Sequence, residues 1–150
     1  MSAAQEMLDR ILKERPFVIS YVPVRAEIDF KNLLPSLERK EMYEIRPDAT
    51  LDPNDEARRA MIIGGDWPTV VLIPGRRFDA TGTRHGKGVG WYDRFLAAVP
   101  AAWVRIGFCF EDQFSSEALV RESWDEPMDY VVVVPRTGED PVLYETRARN

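Results

Sequence analysis

Thiol and imidazole chemistry has almost no material in this sequence, which holds one cysteine, Cys109, and one histidine, His85. A single cysteine excludes an intramolecular disulfide. Cys109 lies inside the apolar run WVRIGFCF with no histidine near it in the chain, so it reads as a buried strand thiol rather than a nucleophile. Long hydrophobic runs are also missing. None approaches the roughly 18 residues that a membrane span requires. The first fifteen residues carry acidic side chains and no apolar core segment, unlike a signal peptide. A basic excess is missing too. The net charge of −5 argues against a general nucleic-acid binder but leaves room for a local patch that holds a small anion. There is no internal repeat, low-complexity tract or domain boundary. The expectation is one cytoplasmic domain over residues 1–150, with 45% hydrophobic and 30% charged residues, as in ordinary globular proteins.

The segments that are present alternate between helix and strand. Residues 3–14 place Met7, Leu8, Ile11 and Leu12 on one helical face, and Pro16 stops the helix. FVISYV (17–22) predicts a buried strand. Residues 30–39 look helical despite Pro35, and 41–47 suggest a further strand. PDATLDPNDE (47–56) reads as a loop and 55–63 as a short helix. TVVLIP (69–74) is the clearest strand, followed by a long loop over 75–90 and a helix over 91–99. Strands are expected at 103–110 and 130–135, a short helix at 115–122, and an edge strand at 142–146. The runs at 70–73 and 131–134 are apolar without alternation. Strands buried on both faces have that character and belong to parallel sheets covered by helices. The fold class is therefore α/β: a mostly parallel sheet with helices on both faces.

The chemistry concentrates in IPGRRFDATGTRHGKGVGWYDRFL (73–96), which leaves the best strand and enters a helix. Ligands of open α/β sheets sit in such connections. Gly86, Gly88 and Gly90 alternate ahead of the helix, where glycine backbone can aim several N–H groups at one anion. Arg76, Arg77, Arg84 and Lys87 add positive charge. The pattern is neither GxxxxGK[ST] nor GxGxxG, so it is neither a P-loop nor a dinucleotide fingerprint. The competing reading is a flexible glycine loop with solvated basic residues. Asp79 and Asp93 bracket the glycines and Asp125 follows in SWDEP; carboxylates there suit the magnesium that accompanies ATP, while Asp93 also suits the first turn of a helix on its own account.

PGRRFDATGTRHGKGVGWYDR resembles the signature of 5-formyltetrahydrofolate cyclo-ligases: Pro-Gly, Phe-Asp, a spaced Gly, then Arg-Leu-Gly-x-Gly-x-Gly, two aromatics and Asp. VISYVPVRAEIDF (18–30), IGFCFEDQ (106–113) and WDEPMDYVVV (124–133) resemble further blocks of that family in the same order, so the likeness covers about residues 17–134. It implies an α/β domain similar in architecture to sugar-phosphate isomerases and CoA-transferases. It also implies a MgATP-dependent conversion of 5-formyltetrahydrofolate to 5,10-methenyltetrahydrofolate with release of ADP and phosphate. By position, Arg84, His85, Gly86, Lys87, Gly88, Val89, Gly90, Trp91 and Tyr92 would bind ATP, with Lys87, Arg84 and Tyr92 as the catalytic set. Val22, Glu27 and Trp91 would meet the folate, and Asp93 and Asp125 would hold magnesium. Trp91 and Tyr92 are equally natural core residues at a helix start. The sequence departs from the family pattern at His85 (usually leucine), Val89, Trp91, Arg76, Arg77 and Ala26. Lys13 and Arg15 are the only counterparts near the basic residues of the family's first helix. A homodimer in which a partner supplies Arg58 and Arg59 would restore charge. The alternative reading is a non-catalytic relative serving as a nucleotide-binding, anion-binding or interaction module; a CoA or sugar-phosphate enzyme would rest on fold analogy alone.

Overall fold

The computed structural model describes residues 2–24, 26–47 and 50–149. The chain opens with α1 (Ala3–Lys13), started by a capping box in which the Ser2 hydroxyl accepts from the Gln5 N–H and the Gln5 side chain accepts from the Ser2 N–H. Its stripe of Ala4, Leu8, Ile11 and Leu12 is buried. Strand β1 (Phe17–Tyr21) is buried along its whole length. The expected helix over 30–39 is two short 3₁₀ turns, Phe30–Asn32 and Pro35–Arg39. Asp29 caps the first by accepting from the Lys31 N–H, and Pro35, which has no N–H to give, prevents one continuous helix. Strand β2 (Glu41–Ile45) precedes α2 (Pro53–Gly64). That helix begins earlier than its apolar pattern suggests, because Asp52 caps it and proline is favourable in the first turn.

Strand β3 (Thr69–Pro74) matches the sequence reading, and α3 (Trp91–Ala98), β6 (Val104–Phe110), β8 (Tyr130–Val134) and β9 (Val142–Glu145) lie where expected. The six-stranded sheet has the order β2-β1-β3-β6-β8-β9. The first five strands are parallel and β9 is antiparallel to β8. Side chains alternate across it. Val18, Val70, Leu72, Ile106, Phe108 and Val132 share a core with α1 and the 3₁₀ turns. Phe17, Ile19, Val71, Ile73, Val131 and Val133 share a second core with α2 and α3. Helices thus cover both faces, which explains the unalternated apolar strands. Among the described residues no helix is long and apolar enough to cross a membrane.

Two stretches differ from the sequence reading. The 75–90 connection is not a plain loop, since β4 (Arg77–Asp79) and β5 (Arg84–His85) form a hairpin whose β4 also pairs with β7 (Phe114–Ser115). Strands of two or three residues are too short to show a period. Phe78, buried at the centre of this small sheet, packs over Gly107 and Gly75 so closely that a Cβ on Gly107 would lie 2.3 Å from its ring. The segment 115–122 is not a helix. Ser115 accepts from the Glu117 N–H, a local bond that competes with helix formation, and Leu119, Val120 and Arg121 bond instead to Asp79, His85 and Thr83 of the hairpin.

Candidate active site

All five parallel strands end at one edge of the sheet, and the glycine connection leaves β3 at that edge. Val22 and Glu27 follow β1 there, and Gln113 follows β6, its side chain bonded to the Phe110 N–H and the Ala26 carbonyl. Lys13 and Arg15 precede β1 and so lie at the opposite edge, where Arg15 closes onto the Ile11 carbonyl and Glu14. They do not reach the glycine connection. Arg58 and Arg59 are paired with Asp55 and Glu56 on α2.

The hairpin places Arg84 inward. Its Nε donates to the Pro74 carbonyl at 2.6 Å, and its guanidinium sits 4.8 Å from the centre of the Tyr92 ring. A Cβ on Gly86 would strike that guanidinium at 2.8 Å, so the glycine is what lets the loop cross it. Arg84 makes no ion pair among the described residues. Burial lowers its pKa, and the nearby Tyr92, Asp93 and Glu27 oppose that shift. An arginine remains charged under such conditions, so this site holds a cation to which no described carboxylate is bonded. Tyr92 is buried and its hydroxyl has no hydrogen-bond partner among the described residues. Burial drives its pKa far above the ordinary phenol value, only partly offset by Arg84. The hydroxyl is therefore a donor at neutral pH and not a base. An orphaned buried hydroxyl costs roughly 1–3 kcal/mol, a cost that a bound acceptor would remove.

Gly88 and Gly90 adopt positive φ, 87° and 68°, and Gly90 starts α3. Lys87 and Val89, on either side of Gly88, are exposed. Glu27, held by the Val24 N–H, lies close enough to act on Arg84, Tyr92 and Tyr21. Asp93 accepts from the Glu126 N–H at 2.9 Å. Burial raises its pKa first of all, the bond from the Glu126 N–H and the charge of Arg84 oppose that, and the charge of Asp125 raises it further. Asp125 in turn accepts from the Glu122 N–H. Trp91 is packed into the fold: it is buried, stacks on Phe95 with centroids 5.6 Å apart, and its indole N–H donates to the Leu51 carbonyl in the connection from β2 to α2.

Asp79 is not free to bind a metal. Its carboxylate is buried and accepts from the N–H and hydroxyl of Thr81, the Thr83 N–H and the Leu119 N–H. Burial raises its pKa, but those hydrogen bonds outweigh it and hold the group below the usual carboxylate range. The Leu119 contact belongs to a strap, residues 117–122, that sequence reasoning missed. His85 Nε2 donates to the Val120 carbonyl at 2.8 Å, and Arg121 bonds Thr83 and Thr81. The available signal was the poor burial potential of SSEALVRE, whose only large apolar residues are Leu119 and Val120.

The family model for 5-formyltetrahydrofolate cyclo-ligases matches residues 2–134. Among solved structures, a 5,10-methenyltetrahydrofolate synthetase from Mycoplasma pneumoniae is similar in fold, with a TM-score of 0.55 and 17% identity, over 89% of this chain and 88% of that one. No curated protein matches the sequence.

Proposed function

This chain belongs to the 5-formyltetrahydrofolate cyclo-ligase family and is a ligase, and we propose that it converts 5-formyltetrahydrofolate to 5,10-methenyltetrahydrofolate with ATP as co-substrate. The observation that carries this reading is the half-buried guanidinium of Arg84, without an ion pair among the described residues, beside the Tyr92 hydroxyl, without a hydrogen-bond partner among them, at the rim of a glycine connection. These are the groups a transferring phosphoryl needs: positive charge and donors fixed in advance, with no required acid or base.

In this reading the formyl oxygen attacks the γ-phosphorus, ADP leaves, N10 closes the ring and phosphate departs. Arg84 neutralises charge on the transferring group, and the Tyr92 hydroxyl donates to one of its oxygens. Backbone N–H groups around Gly86, Gly88 and Gly90 hold the remaining phosphates, and the exposed Lys87 closes over them. His85 and Val89 contribute backbone only. Glu27, with Val22 beside it, orients the pterin and its formyl group; Trp91 supports the site from the core.

Asp93 and Asp125 fit a magnesium ion. Magnesium is commonly held by one or two carboxylates together with substrate phosphates and water, and no cluster of three or more potential ligand residues exists among the described residues. Two carboxylates kept together, one of them half-buried with a raised pKa, are a place where a cation is favourable. Held there, the ion would supply positive charge against the phosphates. The proposal extends to a cytoplasmic setting. A homodimer remains part of the reading: Arg58 and Arg59, paired on the surface of α2, are exposed side chains that a partner could present.

The test is direct. Purified protein is mixed with 5-formyltetrahydrofolate and MgATP, and methenyl product and phosphate are followed together. Equal release of both, dependent on each substrate, is the expected result. Absence of product with folded protein would overturn the reading.

A further inference from the structure

The strap described above runs alongside the glycine connection. At residue 120 it is fastened to His85, and at residue 126 to Asp93, at 2.8 and 2.9 Å. Residues 121–125 must therefore pass beside 86–92, the stretch assigned to the phosphates. Within that span the chain turns tightly: the Asp125 N–H donates to the Glu122 carbonyl, and the Glu122 N–H donates back to the Asp125 carboxylate. Trp124 stands at this turn with 66% of its surface exposed. It makes no ring contact with another aromatic among the described residues, whereas Trp67 and Trp91 do.

A large aromatic held outward on a pinned turn has no packing role to explain it. Its backbone is fixed by bonds on both sides, so a flat ligand could stack on it at little cost in ordering. Two flat groups enter the proposed reaction. Asp93 and Asp125, assigned to the metal that accompanies the nucleotide, are bonded to Glu126 and Glu122 of this same stretch, and Trp124 is the chain neighbour of Asp125, whereas Glu27, assigned to the pterin, follows β1. We propose that Trp124 is the platform on which the purine base of the nucleotide stacks, a specificity-determining contact that rests on the ATP-dependent reading above. Exposed Val120 extends the same apolar rim.

The test compares wild type with Trp124→Ala and Trp124→Phe. Each is titrated with MgATP and with magnesium tripolyphosphate, which carries the phosphates without a base, and each is assayed for turnover. Base–aromatic stacking predicts that Trp124→Ala weakens MgATP by about ten- to a hundredfold. Tripolyphosphate affinity and the KM for the folate should stay as they are, and Trp124→Phe should restore most of the loss. MgATP should also quench wild-type tryptophan fluorescence, and tripolyphosphate should not. Unchanged MgATP affinity in Trp124→Ala overturns the proposal while leaving the ATP reading intact. So does an equal loss of MgATP and tripolyphosphate, which would mark a structural role, or a loss confined to the folate. Wild-type protein that binds no MgATP overturns both.

Discussion

Two arginines are drawn into this molecule, and their surroundings differ. Arg105, near the start of β6, is 3% exposed and closely tied: it pairs with Glu126 at 3.2 Å and donates to the carbonyls of Leu96 and Pro127, while its Nε has no hydrogen-bond partner among the described residues. Its backbone N–H is held by Asp129, which also grips Arg149 near the end of the chain. Arg84, in the hairpin at the other edge, has one carbonyl and one aromatic face. The first arginine is a structural tie whose charge is answered within the fold. The second is kept in place with its charge unanswered, which is the state expected of a residue that waits for an anion.

The sharpest way to separate the two is to remove each. Arg105→Ala leaves Glu126 without its partner and opens the network around Asp129, so stability should fall by about 3–5 kcal/mol. A drop in Tm of more than about 6 °C in a thermal melt would register it. Arg84→Ala should do the reverse. Tm should change little, because no ion pair is lost, while kcat/KM for the cyclisation falls by about a hundredfold through a lost charge-assisted contact worth roughly 1.5–3 kcal/mol. If Arg84→Ala unfolds the protein and Arg105→Ala does not, the contrast is wrong.

Asp79 and its strap come next in size. Asp79→Asn sets an amide against donors that need an acceptor, and should cost about 2 kcal/mol by denaturant unfolding. The wild-type group has a lowered pKa when folded. Its contribution is therefore present above the ordinary carboxylate value and lost as pH falls through the folded one. An acid-unfolding curve should show that loss for wild type and not for Asp79→Asn. The smallest effect belongs to Tyr92→Phe. Removing a hydroxyl that has no partner should leave Tm unchanged or slightly higher, yet reduce kcat by about tenfold if that hydroxyl serves the phosphoryl group.

Much of this was legible in the sequence for identifiable reasons. Buried parallel strands read as apolar runs, so β3 and β8 could be placed almost to the residue. Pro16 marked the end of α1, whereas the start of α2 at Pro53, capped by Asp52, was hidden in a stretch that reads as a turn-rich loop. The glycines, Arg84 and Asp93 stood out because their spacing repeats a long, several-part signature. The hairpin and the strap did not. Their order comes from contacts between residues some forty positions apart, such as Leu119 with Asp79, and short polar segments carry no period that announces them. The direction of Trp91 was also hidden: an aromatic at the start of a helix suits a core and a ligand equally, and only the Leu51 carbonyl and the Phe95 ring show which way it turns.

The central claim is that the unanswered charge of Arg84 holds phosphate. Calorimetric titration of MgATP into wild type and Arg84→Ala, both verified as folded, tests it most directly. The account predicts saturable binding to wild type that weakens at least about tenfold in the variant. Equal affinities, or a wild type that binds no MgATP, would contradict it.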